Sequence, residues 1–431
     1  MDAAQAAIVG GDPARAIATS LRARALARRA GGRAAKLADF HHAVVLLAAR
    51  GGRAERGTWS HLDRLPARDA SEALEILLLG ATALYWSGDN ESARWVLERV
   101  VMRARADRAP MLGTALDTLA AVLFRLGDWP TADGLSAEAL RIARARRVDF
   151  DTASAATTLA RIAAARGDEA ECRALLNSAR RLARRGSLAA AYVLSASGLL
   201  ELSLGRPDAA ARELEKLATG TVSPPLSPLV NQWLPELIES YVRAGRPRDA
   251  LSALARLEAA VRPSDGPLLR ALAARSRGLL APTNTLELHF GGALRLHDRT
   301  DVPFERARTE LCYGERLRRA RRRPEAIAHL QAALAVFERI GAAPWADRAR
   351  GELGPLRRSA TGAGIEQLLT THELAVAAHV QRGATNREAA NALFVTPKTI
   401  EYHLAQIFRK TGVRSRTELV IALFRAERRP A

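Results

Sequence analysis

Close to the C-terminal end, the stretch TPKTIEYHLAQIFRKTGVRSRTEL (Thr396–Leu419) gathers Lys, Arg, Tyr, His and Gln around a thin apolar thread. Thr396 as N-cap, Pro397 at the first helical position and Gly412 as a stop predict a helix over 397–411. Ile400, Leu404, Ile407 and Phe408 share one face of that helix. At about 100° per residue, the opposite face collects Lys398, Tyr402, Gln406 and Arg409. Glu401 and Ala405 lie on one flank, and Thr399, His403 and Lys410 on the other. A merely solvated face alternates acids and bases, whereas here Glu401 is the single acid among Lys398, Arg409 and Lys410. Such a face suits a major groove, where polar side chains read base edges. The base-reading candidates are Lys398, Glu401, Tyr402, Ala405 and Gln406. Hydroxyls, cationic side chains and helix-start N–H groups suit phosphate oxygens. Those candidates are Asn386, Arg387, Thr396, Thr399, Arg409, Lys410, Arg414 and Arg416.

The flanking residues supply the frame for this helix. Thr370 with Glu373, Thr385 with Glu388, and Ser415 with Glu418 each fit the capping box, Ser/Thr-x-x-Glu. Helices are therefore predicted at about 371–382, 386–393, 397–411 and 416–427. Gly383 ends the first, and Phe394-Val395 forms a tight turn before the third. The second and third are joined by only three residues, which is helix-turn-helix spacing.

Residues 364–428 resemble the LuxR-type helix-turn-helix. The matching elements are Leu369-Thr370, Glu373, Gly383, Asn386-Arg387-Glu388, Ala390, Thr399-Ile400, His403, Lys410, Gly412-Val413, Ser415-Arg416 and Glu418-Leu419. Ala389 and Thr411 depart from the family pattern, which has larger apolar residues there, and both trim the small core. The resemblance implies dimerisation on DNA through the last helix, where Val420, Leu423 and Phe424 are apolar. It also implies double-stranded DNA as partner and RNA polymerase as a further candidate.

Upstream, a short phrase recurs: an apolar helix end, Gly, a polar or Pro turn, then Ala. It occurs at Gly11, Gly51, Gly88, Gly127, Gly167, Gly205 and Gly245, with steps of 40, 37, 39, 40, 38 and 40 residues. Degenerate copies follow near Pro282 and at Arg322. A helix–turn–helix unit of this length cannot bury its own apolar face, so the units must stack into a solenoid. The phrase resembles tetratricopeptide-like arrays, though with a longer period than the usual ~34 residues. Gly, Pro, Ser and Thr in residues 351–363 read as a linker. The expected organisation is an all-α chain. A repeat array over 1–350 and the linker precede a DNA-binding domain over 364–431. Array plus reader is similar to the C-terminal half of large MalT-like LuxR regulators, whose ATP-binding module has no counterpart in these residues.

Composition narrows the function classes. Formal net charge is +19, which favours a polyanionic partner. Only four of the 65 basic residues are lysine, Lys36, Lys216, Lys398 and Lys410, so part of the excess reflects an arginine-rich composition. Cys172 and Cys312 are too few and too distant for a disulfide framework or a cysteine-based zinc site, and they read as core thiols. No Gly-Lys-Ser/Thr triplet, His-Glu-x-x-His or Gly-x-Ser-x-Gly occurs, so no enzyme, cofactor or metal is expected. His41, His42 and His289 read as surface or core residues. MDAAQAAIVGG lacks the basic and apolar regions of a signal peptide. No stretch approaches the ~20 apolar residues of a bilayer span. The expectation is a cytoplasmic, sequence-specific DNA-binding regulator whose array senses a protein or small-molecule effector. The alternative is a helical-repeat interaction scaffold without DNA binding, and salt-dependent duplex binding separates the two.

Overall fold

The computed structural model describes residues 13–50, 70–184, 187–218, 233–261, 266–362 and 369–427, and every regular element among them is helical. The chain divides into two compact units, Met1–Arg348 and Ala349–Ala431. The first opens with α1 (Pro13–Ala30) and α2 (Gly32–Arg50). Hairpins follow: α3 (Ala70–Ser87) with α4 (Asn90–Ala106), α5 (Leu112–Leu126) with α6 (Trp129–Arg146), and α7 (Asp149–Arg166) with α8 (Glu169–Leu182). Next come α9 (Leu188–Ser203) with α10 (Pro207–Ala218), and α11 (Trp233–Arg243) with α12 (Pro247–Ala260). After α13 (Pro267–Leu280), a 3-10 turn, a π turn over Glu287–Gly291 and the short α14 (Gly292–His297) replace a regular partner. A last hairpin, α15 (Pro303–Arg319) with α16 (Arg323–Ile340), precedes α17 (Ala343–Gly362). The second unit holds α18 (Thr371–Gln381), α19 (Asn386–Ala392), α20 (Pro397–Thr411) and α21 (Arg416–Glu427). None of the described helices is long and apolar enough to cross a membrane.

The repeat phrase does what its residue types allow. Gly88, Gly127, Gly167, Gly205 and Gly245 all take left-handed backbone, at φ between 72° and 93°. Asp89 and Asp128 then cap the next helix, accepting from the backbone N–H of Ser92 and Thr131. Gly11 and Gly51 lie outside the described residues. The degenerate copies differ from expectation. Arg321, one residue before Arg322, is the left-handed one, and Pro282 is followed by the 3-10 turn because proline fixes φ near −65°. The second helix of each hairpin buries a single stripe, such as Cys172, Leu176 and Ala179 on α8. The first helices are enclosed on several sides: α9 buries Val193, Ala196, Leu199, Leu200 and Leu202. Cys172 and Cys312 are buried free thiols, and burial pushes both up to about 12.

Nearest-neighbour stacking alone does not account for this enclosure. A Cβ on Gly127 would lie 2.6 Å from Pro303 Cγ, and one on Gly167 would lie 2.5 Å from Pro344 Cγ. Gly88 faces Leu268 in the same way, at 3.5 Å. Each turn therefore receives the start of a helix roughly 180 residues further on, so about four to five repeats complete one winding and successive windings touch. Phe304 fills the seam, edge-on to Trp129 and Trp345 at centroid distances of 5.4 Å each. Trp345 Nε1 donates to Ser203 Oγ at 3.0 Å across 142 residues.

A buried ionic network crosses the later helices. Arg308, 1% exposed, donates to Glu239 at 2.8 Å, to Glu305 at 3.0 Å and to Glu236 at 3.4 Å. Arg275 holds the other oxygen of Glu305 at 2.7 Å, and Arg348 bridges Glu239 at 2.8 Å to Glu315 at 2.7 Å. Burial raises Glu236, whose Oε2 has no hydrogen-bond partner, against the pull of Arg308. Burial also opposes ionisation of Glu239 and Glu305, but the guanidiniums win and hold both below the usual carboxylate range.

Residues 351–363, expected as a linker, are helical through Gly362. Gly354-Pro355 and Thr361-Gly362 are separated by Leu, Arg and Ala, whose helix propensity accompanies the continuation of the helix past Pro355.

Two stability comparisons follow from these contacts. Gly205 has the left-handed φ but open space around it. Gly205→Ala should cost about 1 kcal/mol of backbone strain, and Gly167→Ala clearly more, by thermal unfolding. Arg308→Met should cost about 3–5 kcal/mol because it strands buried carboxylates. Arg306→Met, which loses an exposed pair with Asp298, should cost less than about 1 kcal/mol.

Candidate nucleic-acid interface

Four short helices build this unit around one apolar cluster. Leu369, Val376, Ala377 and Val380 meet Ala389 and Ala390 of α19, Ile400, Leu404 and Ile407 of α20, and Leu419 and Leu423 of α21. The start signals form as their chemistry predicts. Thr370 with Glu373 and Thr385 with Glu388 are reciprocal capping boxes. Thr396 Oγ1 accepts from the Thr399 N–H at 3.2 Å. The third box is only half formed: Ser415 Oγ accepts from the Glu418 N–H at 3.1 Å, while the Glu418 carboxylate takes the Arg414 N–H at 2.7 Å. Thr411, 6% exposed, turns its hydroxyl back to the Ile407 carbonyl at 2.7 Å, which makes a polar residue tolerable in the core.

α20 is split along its length. Ile400 and Ile407 are fully buried and Leu404 is 7% exposed. Lys398, Glu401, Tyr402 and Ala405 are exposed and Gln406 is half-buried, so the five base-reading candidates share the outer side of one helix. Gln406 Oε1 accepts from Arg409 Nη2. That bond directs the Gln406 amide so that its NH2 group is the part left for an outside acceptor. Thr396 and Thr399 pair their hydroxyls at 2.9 Å at the start of the helix. Arg387, Arg409 and Arg414 are exposed.

Two expected phosphate ligands have work inside the domain. Lys410 Nζ donates to both oxygens of Glu373, at 2.7 and 2.6 Å, and so ties the end of α20 to the start of α18. Burial would raise Glu373, but the Lys410 ammonium and the Thr370 N–H outweigh it and hold its carboxyl below the usual range. Arg416 donates to Asn386 Oδ1 at 3.0 Å and to the Ala384 carbonyl, bracing α21 against the start of α19. Sequence spacing placed both cations on the rim and did not reveal their partners, which lie 30 to 37 residues away.

The last helix differs in detail too. Leu423 belongs to the domain's own core and Val420 packs against it. Phe424 is 50% exposed, beside Ile421 at 46%, which was not among the candidates. The helical turn from 420 to 424 explains this, because residues three apart share a face and 420 and 423 take the inner one. Phe394 lies in the tight turn expected at Phe394-Val395. It is 95% exposed and left-handed at φ 55° in the turn before α20, where glycine is the usual residue.

A family model described as "Bacterial regulatory proteins, luxR family" matches residues 367–423. ComA, a transcriptional regulatory protein of Bacillus subtilis, is 43% identical over 56 residues, covering 13% of this chain and 26% of ComA. An HTH-type transcriptional regulator of Mycobacterium tuberculosis is 39% identical over 89 residues, 21% of this chain and 9% of that protein. The similarity therefore spans a small part of each relative. Among solved structures, a Rap protein complexed with Competence and Sporulation Factor aligns over 79% of this chain and 97% of its own, with TM-score 0.59 and 11% identity. That likeness is one of fold, and it makes the array a tetratricopeptide-like one.

The Lys410–Glu373 pair gives a signed expectation. A carboxylate with a depressed folded pKa adds stability above its unfolded pKa and loses it as pH falls through the folded value. Lys410→Met should weaken protection of the α20 end by about 1–3 kcal/mol at pH 7, with the penalty shrinking on acidification. Hydrogen exchange of the intact chain reads this, and Lys398→Met should leave it unchanged.

Proposed function

We propose, from residues 367–423 as the LuxR-family helix-turn-helix domain they form, that the chain binds double-stranded DNA sequence-specifically through α20. Its function is transcriptional regulation by binding, without catalysis, and the array is the part that takes an effector. The observation that carries the reading is the division of α20. Its apolar side is consumed by the domain core, and Lys398, Glu401, Tyr402 and Ala405 all remain exposed on the other. Tyr402, 62% exposed, has a ring contact only with His403 among the described residues. A large aromatic left so exposed on a well-packed helix fits a surface that is covered on binding. The shared fold with a Rap protein complexed with Competence and Sporulation Factor supports the array as the partner-binding part.

Within this reading Arg387, Arg409, Arg414, Thr396 and Thr399 face phosphates, while Lys410 and Arg416 hold the domain in shape. Two copies pair on DNA through Ile421 and Phe424, with half-sites about 10 base pairs apart.

Selection of duplexes from a random pool tests the reader. Tyr402→Ala or Gln406→Ala should relax preference at one base pair by about 1–3 kcal/mol. An unchanged selected sequence with folding intact would mean that α20 is not the reader. Arg414→Gln should weaken all duplexes alike and lower the salt slope by about one. Phe424→Asp should reduce a two-half-site footprint to weak binding at one half-site. Full affinity for an isolated half-site would remove the pairing.

A further inference from the structure

The inner faces of α3, α5, α7 and α9, closed at one end by α2, surround a recess of about 120 Å3. Trp86, Phe150 and Tyr192 stand on its walls, with Val45, Leu78 and Leu188 behind them. Its polar side is a ladder between two helices. Thr114 Oγ1 of α5 donates to Asp151 Oδ2 of α7 at 3.1 Å. One helical turn on, Ser154 Oγ of α7 donates to Asp117 Oδ2 of α5 at 2.6 Å. Asp117 is 8% exposed, and neither it nor Asp151 joins an ion pair among the described residues.

Two carboxylates in an aromatic-walled recess, served only by hydroxyls, are an incomplete arrangement. An ionised carboxylate removed from water is costly unless a cation meets it. Burial pushes Asp117 up to about 6 and raises Asp151 as well, the direction expected of carboxylates removed from water without a cation in contact. Around Glu239 the array sets guanidiniums in direct contact; here Arg146 acts on Asp151 only at a distance and Arg125 and Arg161 line the adjoining recess, with no ion pair to either aspartate among the described residues. The walls decide which cation fits. Among the described residues no cluster of three or more His, Cys, Asp or Glu exists to hold a metal ion. A hard divalent cation also needs about six to eight oxygen ligands, which three aromatic rings exclude. An ammonium can donate to both carboxylates and lie against ring faces. The recess has room for several water-sized groups beyond one ammonium. A second recess of about 80 Å3 shares Thr82, Trp86, Asp117, Ser154 and Tyr192 with the first and carries Arg125 and Arg161 on its own side, so the ammonium belongs in the first recess and only the apolar body can extend into the second.

We propose that this recess binds an ammonium group carried on an apolar body, with Asp117 and Asp151 holding the ammonium and Trp86, Phe150 and Tyr192 holding the body. The site deepens the effector reading of the array and rests on it only for its regulatory meaning. Two sources supply this chemistry, a free hydrophobic amine and the N-terminus of a short peptide.

Calorimetric titration of the full chain, without DNA, tests the site. The probes are tryptamine and the dipeptide phenylalanyl-leucine, each beside its N-acetylated form. The ammonium forms should bind saturably and the acetylated forms should not. A tighter dipeptide points to a peptide source, and a tighter tryptamine to a free amine. Asp117→Asn and Asp151→Asn should each weaken binding by about tenfold or more. Because Asp117 is a buried carboxyl without a cation in contact, Asp117→Asn should leave the empty protein's thermal midpoint unchanged or raised. Should that midpoint fall, the half-buried Asp151→Asn decides the point. Equal binding of acetylated and ammonium forms, or unchanged affinity in both Asn variants, overturns the proposal. Absence of saturable binding by either ammonium probe, with duplex binding intact, sinks the site alone. Probe binding that leaves duplex affinity unchanged sinks the effector reading and keeps the site.

Discussion

Contact between successive windings of the array is the constraint on which its other features depend. Pro303 sits on the Gly127 turn and Pro344 on the Gly167 turn, each closer than any side chain at those turns would permit. A turn must reverse the chain within a hairpin and also leave a flat seat for a helix start one winding later. Glycine meets both demands, through its left-handed backbone and its missing Cβ. A more open superhelix would leave the first helices facing a wide channel. This one encloses them, and so it can bury Arg308 with its carboxylates and close a recess around Asp117.

The same economy governs charge. A formal +19 suggests a uniformly cationic surface, but many arginines are spent internally. Arg275 and Arg308 are each 1% exposed, and Arg348 is drawn in with them. In the small C-terminal unit, Lys410 and Arg416 are struts between helices. Among the described residues of the reader, Arg387, Lys398, Arg409 and Arg414 are exposed cations with no carboxylate partner, beside the exposed Arg382 and the paired Lys410. The affinity of such a domain for a polyanion depends on that placement more than on the total.

Several elements were legible before any coordinates because their causes are local. The helix over 397–411 was bounded by Thr396, Pro397 and Gly412, and its boundaries are those observed. Hydrogen bonds within three or four residues set them, and a linear reading contains all such partners. The left-handed turns at Gly88 through Gly245 were legible for the same reason. The split of α20 into an apolar and a polar face needed only the helical period. Where the local signal is mixed, as in residues 351–363, Gly and Pro stand among Arg, Leu and Ala, and the helix formers prevail through Gly362.

By itself, then, the sequence determined the all-α class, the repeat period, the four C-terminal helices and the face that α20 turns outward. Each follows from caps, turn residues and a 3.6-residue periodicity. Tertiary structure alone decided which cations are free to meet a partner, because Lys410 and Arg416 find theirs 37 and 30 residues away. It alone decided that α21 offers Ile421 and Phe424 while Leu423 serves the core, since two faces of a short apolar helix are equivalent until packing chooses one. And it alone set Asp117 opposite Ser154 without a counter-ion. That placement arises from the angle between stacked helices, a quantity summed over many side chains and written in no single residue.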